Sequence, residues 1–208
     1  MNESVNKYKI LSKMSRKRGK IFVLSAPAGT GKTTLVKRLT QEFSDIVQSI
    51  SFTSRKKRSN ETGGVDYNFV TVGEFEDKLE KGDFLEHAKV YEDYYGTDRN
   101  WVESHLNEGK HVFLVIDTQG AKQLMGKVPA VFIFVSPPSI DELRRRLTVR
   151  RTESPEIVEE RLSWAAKEME TGKLYQYHIV NDELGKAYQD LQKIVMTEDR
   201  LEENSDEI

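Results

Sequence analysis

Four short apolar runs, Ile21–Ser25, His111–Asp117, Ala130–Ser136 and Tyr177–Val180, constrain this chain most. Nearly continuous apolar character suits strands buried on both faces, and such strands build parallel sheets covered by helices on each side. The segments between them carry helical spacing. Leu35, Leu39 and Phe43 recur four residues apart, predicting a helix to about Phe43, and further patterns follow at Gln119–Met125, Ser139–Val149 and Asp182–Val195. This alternation predicts a doubly wound α/β core. Residues 55–100 break the rhythm: Arg, Gly, Asn, Tyr and Asp cluster there, with helical spacing only at Glu74–Lys81. An inserted subdomain of antiparallel character, carrying a binding surface, is expected. A second irregular stretch, Arg144–Glu160, is dense in charge and holds Pro155 near a helix start.

The chain of 208 residues fits one domain with a sizeable core. A net charge of −2 produces no field of the kind that marks a nucleic-acid binder. Cysteine is absent, which excludes disulfides, thiolate catalysis and cysteine metal sites. His87, His105, His111 and His178 do not fall at metal-ligand spacing and read as core or surface residues. No apolar run approaches the roughly 18 residues of a membrane-spanning helix. A cytoplasmic protein without a membrane partner is therefore expected. Residues 1–18 are basic and lack an apolar signal-peptide core, so a disordered extension is expected, with a transit peptide as the alternative. Residues 198–208 are acidic and expected to be a solvated tail.

The segment Ala26-Pro27-Ala28-Gly29-Thr30-Gly31-Lys32-Thr33-Thr34 follows the first predicted strand and opens a predicted helix. In that context it reads as a phosphate-binding loop for a nucleoside triphosphate. Gly29 and Gly31 let the backbone wrap an anion at the positive end of the helix dipole. Lys32 is placed to bridge β- and γ-phosphates, and the Thr33 hydroxyl to meet Mg²⁺. Ala26 stands where the strict pattern has glycine.

The acceptor must be read elsewhere. Ser51-Phe-Thr-Ser-Arg55-Lys-Lys-Arg58 and Gly64-Val-Asp-Tyr67-Asn-Phe69 closely resemble the acceptor region of the guanylate kinases. The resemblance continues through Phe84-Leu-Glu86, Tyr94-Tyr95-Gly-Thr97, Ile116-Asp117-Thr-Gln-Gly120 and Val180-Asn181-Asp182, covering about residues 19 to 195. It implies a P-loop NTPase-type parallel sheet core over residues 19–197. It also implies an inserted mixed-β subdomain for the nucleoside monophosphate at about 52–100 and a mobile helical lid at about 146–170. The implied reaction moves the γ-phosphoryl group of ATP, with Mg²⁺, onto GMP and dGMP. Arg55 and Arg58 would grip the acceptor phosphate, since a guanidinium fork matches phosphate oxygens, with Tyr67 and Tyr95 adding hydroxyls. Glu86 would accept from guanine N1–H and the exocyclic amine, two parallel donors that adenine lacks, with Ser51, Thr97 and Asp117 also at the base.

In the lid, the family pattern Arg-Leu-x-x-Arg-Gly-Thr-Glu reads here Arg146-Leu-Thr-Val-Arg150-Arg151-Thr152-Glu153, so Arg151 replaces a residue that is often glycine. The resemblance makes Arg150 and Arg161 the transition-state arginines, puts Arg146 near ATP and sets Asn181 by its adenine. Two rivals remain. An adenylate or pyrimidine monophosphate kinase is disfavoured by Glu86 beside Ser51 and the paired arginines. A phosphopeptide-binding module of the scaffold type is disfavoured by the intact Gly31-Lys32-Thr33.

Overall fold

A computed structural model describes residues 18–90, 92–149 and 155–203. In chain order its elements are β1 (Ile21–Ser25), α1 (Lys32–Glu42), β2 (Ile46–Gln48), β3 (Phe52–Thr53), β4 (Asn68–Phe69), α2 (Val72–Glu80), β5 (Phe84–Val90), β6 (Asp93–Asp98) and α3 (Arg99–Asn107). They continue with β7 (His111–Val115), α4 (Thr118–Leu124), β8 (Ala130–Ser136), α5 (Ile140–Val149), α6 (Pro155–Gly172), β9 (Tyr177–Val180) and α7 (Leu184–Glu203).

The four apolar runs and β2, which was not among them, form one parallel sheet in the order β2-β7-β1-β8-β9. Because side chains alternate along a strand, β1 feeds two cores. Phe22 and Leu24 pack with Leu35, Val36 and Leu39 of α1 and with Tyr188 and Leu191 of α7. Ile21 and Val23 pack on the opposite face with Val102 and Leu106 of α3 and Ala121 and Leu124 of α4. The connection after β1 runs toward one edge of the sheet, while the one after β7 crosses to the other side. Such a reversal opens a crevice at the carboxyl ends of the strands.

The insertion forms a second sheet, β4-β3-β6-β5, in which β3–β4 is parallel and the other pairs are antiparallel. Its underside is apolar: Phe75 of α2 stacks on Phe84 and Tyr94. Helix α2 begins with a full capping box between Thr71 and Glu74, which fixes its start ahead of the helical spacing at Glu74.

Several boundaries differ from the expectations. The strand expected over His111–Asp117 stops at Val115, because Asp117 is the N-cap of α4 and accepts from Gly120 N at 2.9 Å. The stretch expected to be irregular holds α5 through Val149 and α6 from Pro155, whose fixed φ suits a first helical position. Helix α7, expected to end near Val195, continues to Glu203, so residues 198–203 are helical rather than a free tail. Glu198 is buried there and accepts from the Tyr177 hydroxyl at 2.6 Å.

Candidate functional site

The loop between β1 and α1 is a backbone cradle. Gly29 and Gly31 have φ of 89° and 96°, in the left-handed region that favours glycine. Gly31 is the N-cap of α1 and no side chain caps the helix, which leaves its amino end as an anion seat. Pro27 O accepts from Thr30 N at 3.2 Å and from Thr30 Oγ1 at 2.8 Å, closing a turn that follows Ala26 and holds Ala28 and Gly29 at its centre. Lys32 Nζ curls back to donate to Ala26 O at 3.1 Å. Thr33 and Thr34 lie exposed in the first turn. A side chain at either glycine would collide with what supports the loop. A Cβ on Gly29 would fall 2.9 Å from Leu147 Cδ2, and one on Gly31 would fall 2.8 Å from Asn181 Nδ2.

Asn181, only 4% exposed, donates to Thr30 O at 2.7 Å. Its amide nitrogen, expected beside adenine, gives one of its two N–H donors to the loop backbone. Arg146 donates in turn to Asn181 O at 2.8 Å and Asp182 O at 3.3 Å, and is paired with Glu142 at 2.7 Å. Helix α5 therefore leans on the cradle through Leu147 and Arg146.

Across the crevice, the second sheet gathers the residues expected at an acceptor phosphate. The Arg55 guanidinium lies 5.4 Å from the ring centre of Tyr67, and the Tyr67 and Tyr95 rings are 5.8 Å apart. Burial first, then Tyr95, raises the Tyr67 hydroxyl pKa, so it stays a donor at neutral pH. Arg58 sits at the rim with 59% of its side chain exposed. Ser51 leads into β3, its carbonyl accepting from Asn68 N at 2.9 Å.

Glu86 and Thr97 are cross-strand partners on β5 and β6, and Thr97 Oγ1 donates to Glu86 Oε1 at 2.6 Å. Glu86 is 3% exposed. Burial pushes its carboxyl up to about 7; the Thr97 hydroxyl works against that rise, and the nearby Asp117 charge adds to it. The pocket closes over from α4: a Cβ on Gly120 would fall directly on Glu86 Oε2. Tyr95 and Thr97 are two residues apart on β6, so they share a face about 6.6 Å apart along the strand. One strand can thereby serve both the phosphate and the base of a mononucleotide.

Helices α5 and α6 hold a small core of Leu143, Leu147, Val158, Leu162 and Ala165, joined outside by an Arg144–Glu159 ion pair. Arg161 projects from α6, partly buried. Arg150 and Arg151 lie outside the described residues, as does most of residues 1–18.

Some residues of the site escaped the sequence. Gly120 was visible as part of a motif, but its closeness to Glu86 joins positions distant along the chain. Glu61 bonds Arg55, and nothing in a run of polar loop residues singles it out. Glu168 on α6 is a third: burial pushes its carboxyl up to about 7, with Lys32 opposing that and Asp117 adding to it.

Among the described residues, no group of three or more His, Asp or Glu side chains forms a metal cage. The Thr33 hydroxyl at the cradle is a hard oxygen donor. That fits an ion such as Mg²⁺, which takes most of its ligands from phosphates and water. Nor is any helix among the described residues long and apolar enough to cross a membrane.

The family model described as guanylate kinase matches residues 18–198. The guanylate kinase of Protochlamydia amoebophila is 53% identical over 182 residues, covering 88% of this chain and 92% of its own. That of Nitrosospira multiformis is 44% identical over 181 residues, covering 86% of each. The crystal structure of guanylate kinase from Anaplasma phagocytophilum superimposes with a TM-score of 0.73 at 35% identity, covering 88% of this chain and 87% of that one.

Proposed function

The chain belongs to the guanylate kinase family, the ATP:GMP phosphotransferases, and on that premise we propose that it phosphorylates both GMP and dGMP, within purine nucleotide metabolism, through the residues gathered at the crevice. The observation that carries the reading is the buried Glu86 carboxyl, seated between Thr97 and Gly120 and within the field of Asp117. An ionised carboxylate there accepts the two parallel donors of guanine. Adenine would set its N1 acceptor against it.

Arg55, Arg58, Tyr67 and Tyr95 hold the acceptor phosphate, while the loop amides, Lys32 and the amino end of α1 hold the ATP phosphates. An oxygen of the acceptor phosphate attacks the γ-phosphorus. The bond from that phosphorus to its bridging oxygen breaks, giving GDP and ADP. The attacking oxygen is already ionised, since the second phosphate pKa lies near 6, so no general base is needed. The remaining demand is alignment and cationic stabilisation of the moving group. Lys32 and Arg161 supply it, and Arg150, outside the described residues, is assigned the same role. Mg²⁺, held beside Thr33, would draw off charge from the β- and γ-phosphate oxygens when bound with ATP. Each of these acceptor contacts is to base or phosphate, so dGMP keeps them all.

A coupled assay with ATP and a panel of GMP, dGMP, AMP, UMP and dTMP tests this. GMP and dGMP should exceed the others in kcat/KM by about 10²-fold or more, because the wrong base leaves a buried polar group unpaired. A preference for AMP would overturn the assignment.

A further inference from the structure

We propose that Glu61 is a positioning residue for the acceptor-phosphate grip, holding Arg55 in the pose in which its guanidinium meets the phosphate. This rests on Arg55 being a ligand of the GMP phosphate, and it extends the grip to a residue with no assigned role.

The geometry is specific. Glu61 Oε1 accepts from Arg55 Nη2 at 2.6 Å, and Glu61 Oε2 accepts from the backbone N–H of Arg58 at 2.9 Å. Glu61 N donates back to Arg58 O at 3.2 Å, closing the loop into a turn. Arg55 Nη1 donates to Lys56 O at 2.9 Å. The Arg55 guanidinium thus has a second anchor, and the rings of Tyr67 and Phe69 flank it at 5.4 and 5.8 Å. Side-chain exposures of 14% for Arg55 and 12% for Glu61 set this pair apart from Arg58. A guanidinium has five N–H donors, so two fixed bonds orient the fork and still leave donors for phosphate.

A carboxylate beside an anion site could instead be a stand-in that phosphate displaces. The second oxygen argues against that. It is tied to the backbone of the turn, so Glu61 belongs to the frame of the loop and stays when phosphate arrives. Burial opposes charge on the pair, yet their mutual bonds keep Glu61 below the usual carboxylate range and Arg55 above its own. The cost of holding a negative charge near the phosphate is met by alignment, since small misplacements of a gripping group cost rate and affinity steeply.

The test compares Glu61→Ala, Glu61→Gln, Arg55→Ala and the double variant Glu61→Ala/Arg55→Ala in the full chain. KM for GMP, KM for ATP, and inhibition by guanosine, which lacks the phosphate, would be measured for each. Glu61→Ala should raise KM for GMP roughly 10- to 100-fold. ATP and guanosine values should stay within about twofold, and the double variant should be no worse than Arg55→Ala alone, the signature of residues acting as one unit. Glu61→Gln keeps the volume with a single acceptor oxygen, so it should fall between wild type and Glu61→Ala, and it serves if Glu61→Ala does not fold. An unchanged or lowered KM for GMP in the Glu61 variants, or losses that multiply in the double variant, would overturn the proposal while leaving the phosphate grip intact. If Arg55→Ala itself leaves KM for GMP unchanged, the grip reading falls, and this proposal with it.

Discussion

Glu86 occupies an inward position of β5 on the same face as the buried Ala88, where strand alternation calls for an apolar side chain. Its carboxyl is pushed from an ordinary 4.5 up to about 7, chiefly by burial. By linkage, a carboxyl with a raised folded-state pKa favours folding while protonated, and that contribution is lost as pH rises through about 7. Glu86→Gln is neutral throughout and similar in shape. Without ligand it should melt several degrees above wild type at pH 8 and nearer to it at pH 5, as read by thermal denaturation. Equal melting temperatures at both pH values would contradict the buried charge. The family resemblance made Glu86 legible in the sequence. The supporting contacts were not legible, because Thr97, Gly120 and Asp117 reach it from other elements, and only the pairing of β5 with β6 and the seat of α4 bring them together.

At the scale of elements, the four apolar runs were readable because burial on both faces leaves a compositional mark on each strand. The ends were less so. Cap chemistry decided them at Asp117 and Thr71, and Pro155 starts α6 inside a charged stretch. Helix α3 buries only Val102 and Leu106, a stripe too sparse to stand out beside Trp101 and His105. The two-residue strands β3 and β4 carry no period at all. The phosphate loop depends on a distant element in the same way. Asn181, at the end of β9, supports Thr30 O at 2.7 Å from 151 residues away. Asn181→Ala leaves that carbonyl without its buried donor, a loss of about 1–3 kcal/mol. Steady-state kinetics should show KM for ATP rising by about tenfold with KM for GMP nearly unchanged. Equal increases for both nucleotides would mean that Asn181 does not act through the cradle.

Across the whole molecule, a parallel sheet carries the glycine-bearing loop at the carboxyl end of β1, and a mixed sheet inserted between β2 and β7 carries Glu86, Tyr95 and Thr97. Asp117 follows β7, the parallel neighbour of β1, and its carbonyl accepts from Ser25 Oγ at 3.5 Å. Helix α5 borders the cradle through Leu147 and Arg146, and α6 packs against α5. The order of motifs in the chain made this division readable, whereas the electrostatic character of the base pocket emerges only from the packed structure. If guanine is read by Glu86 in its ionised form, GMP binding must drive a partly protonated carboxyl to give up its proton. Calorimetric titration of wild-type protein at pH 7, in buffers of different ionisation enthalpy, measures that proton directly. Ribose 5-phosphate serves as the reference for the phosphate alone. GMP should release about half a proton more than the reference, as a group with a pKa near the working pH requires. Equal proton release by the two ligands would contradict recognition of guanine by the ionised carboxylate.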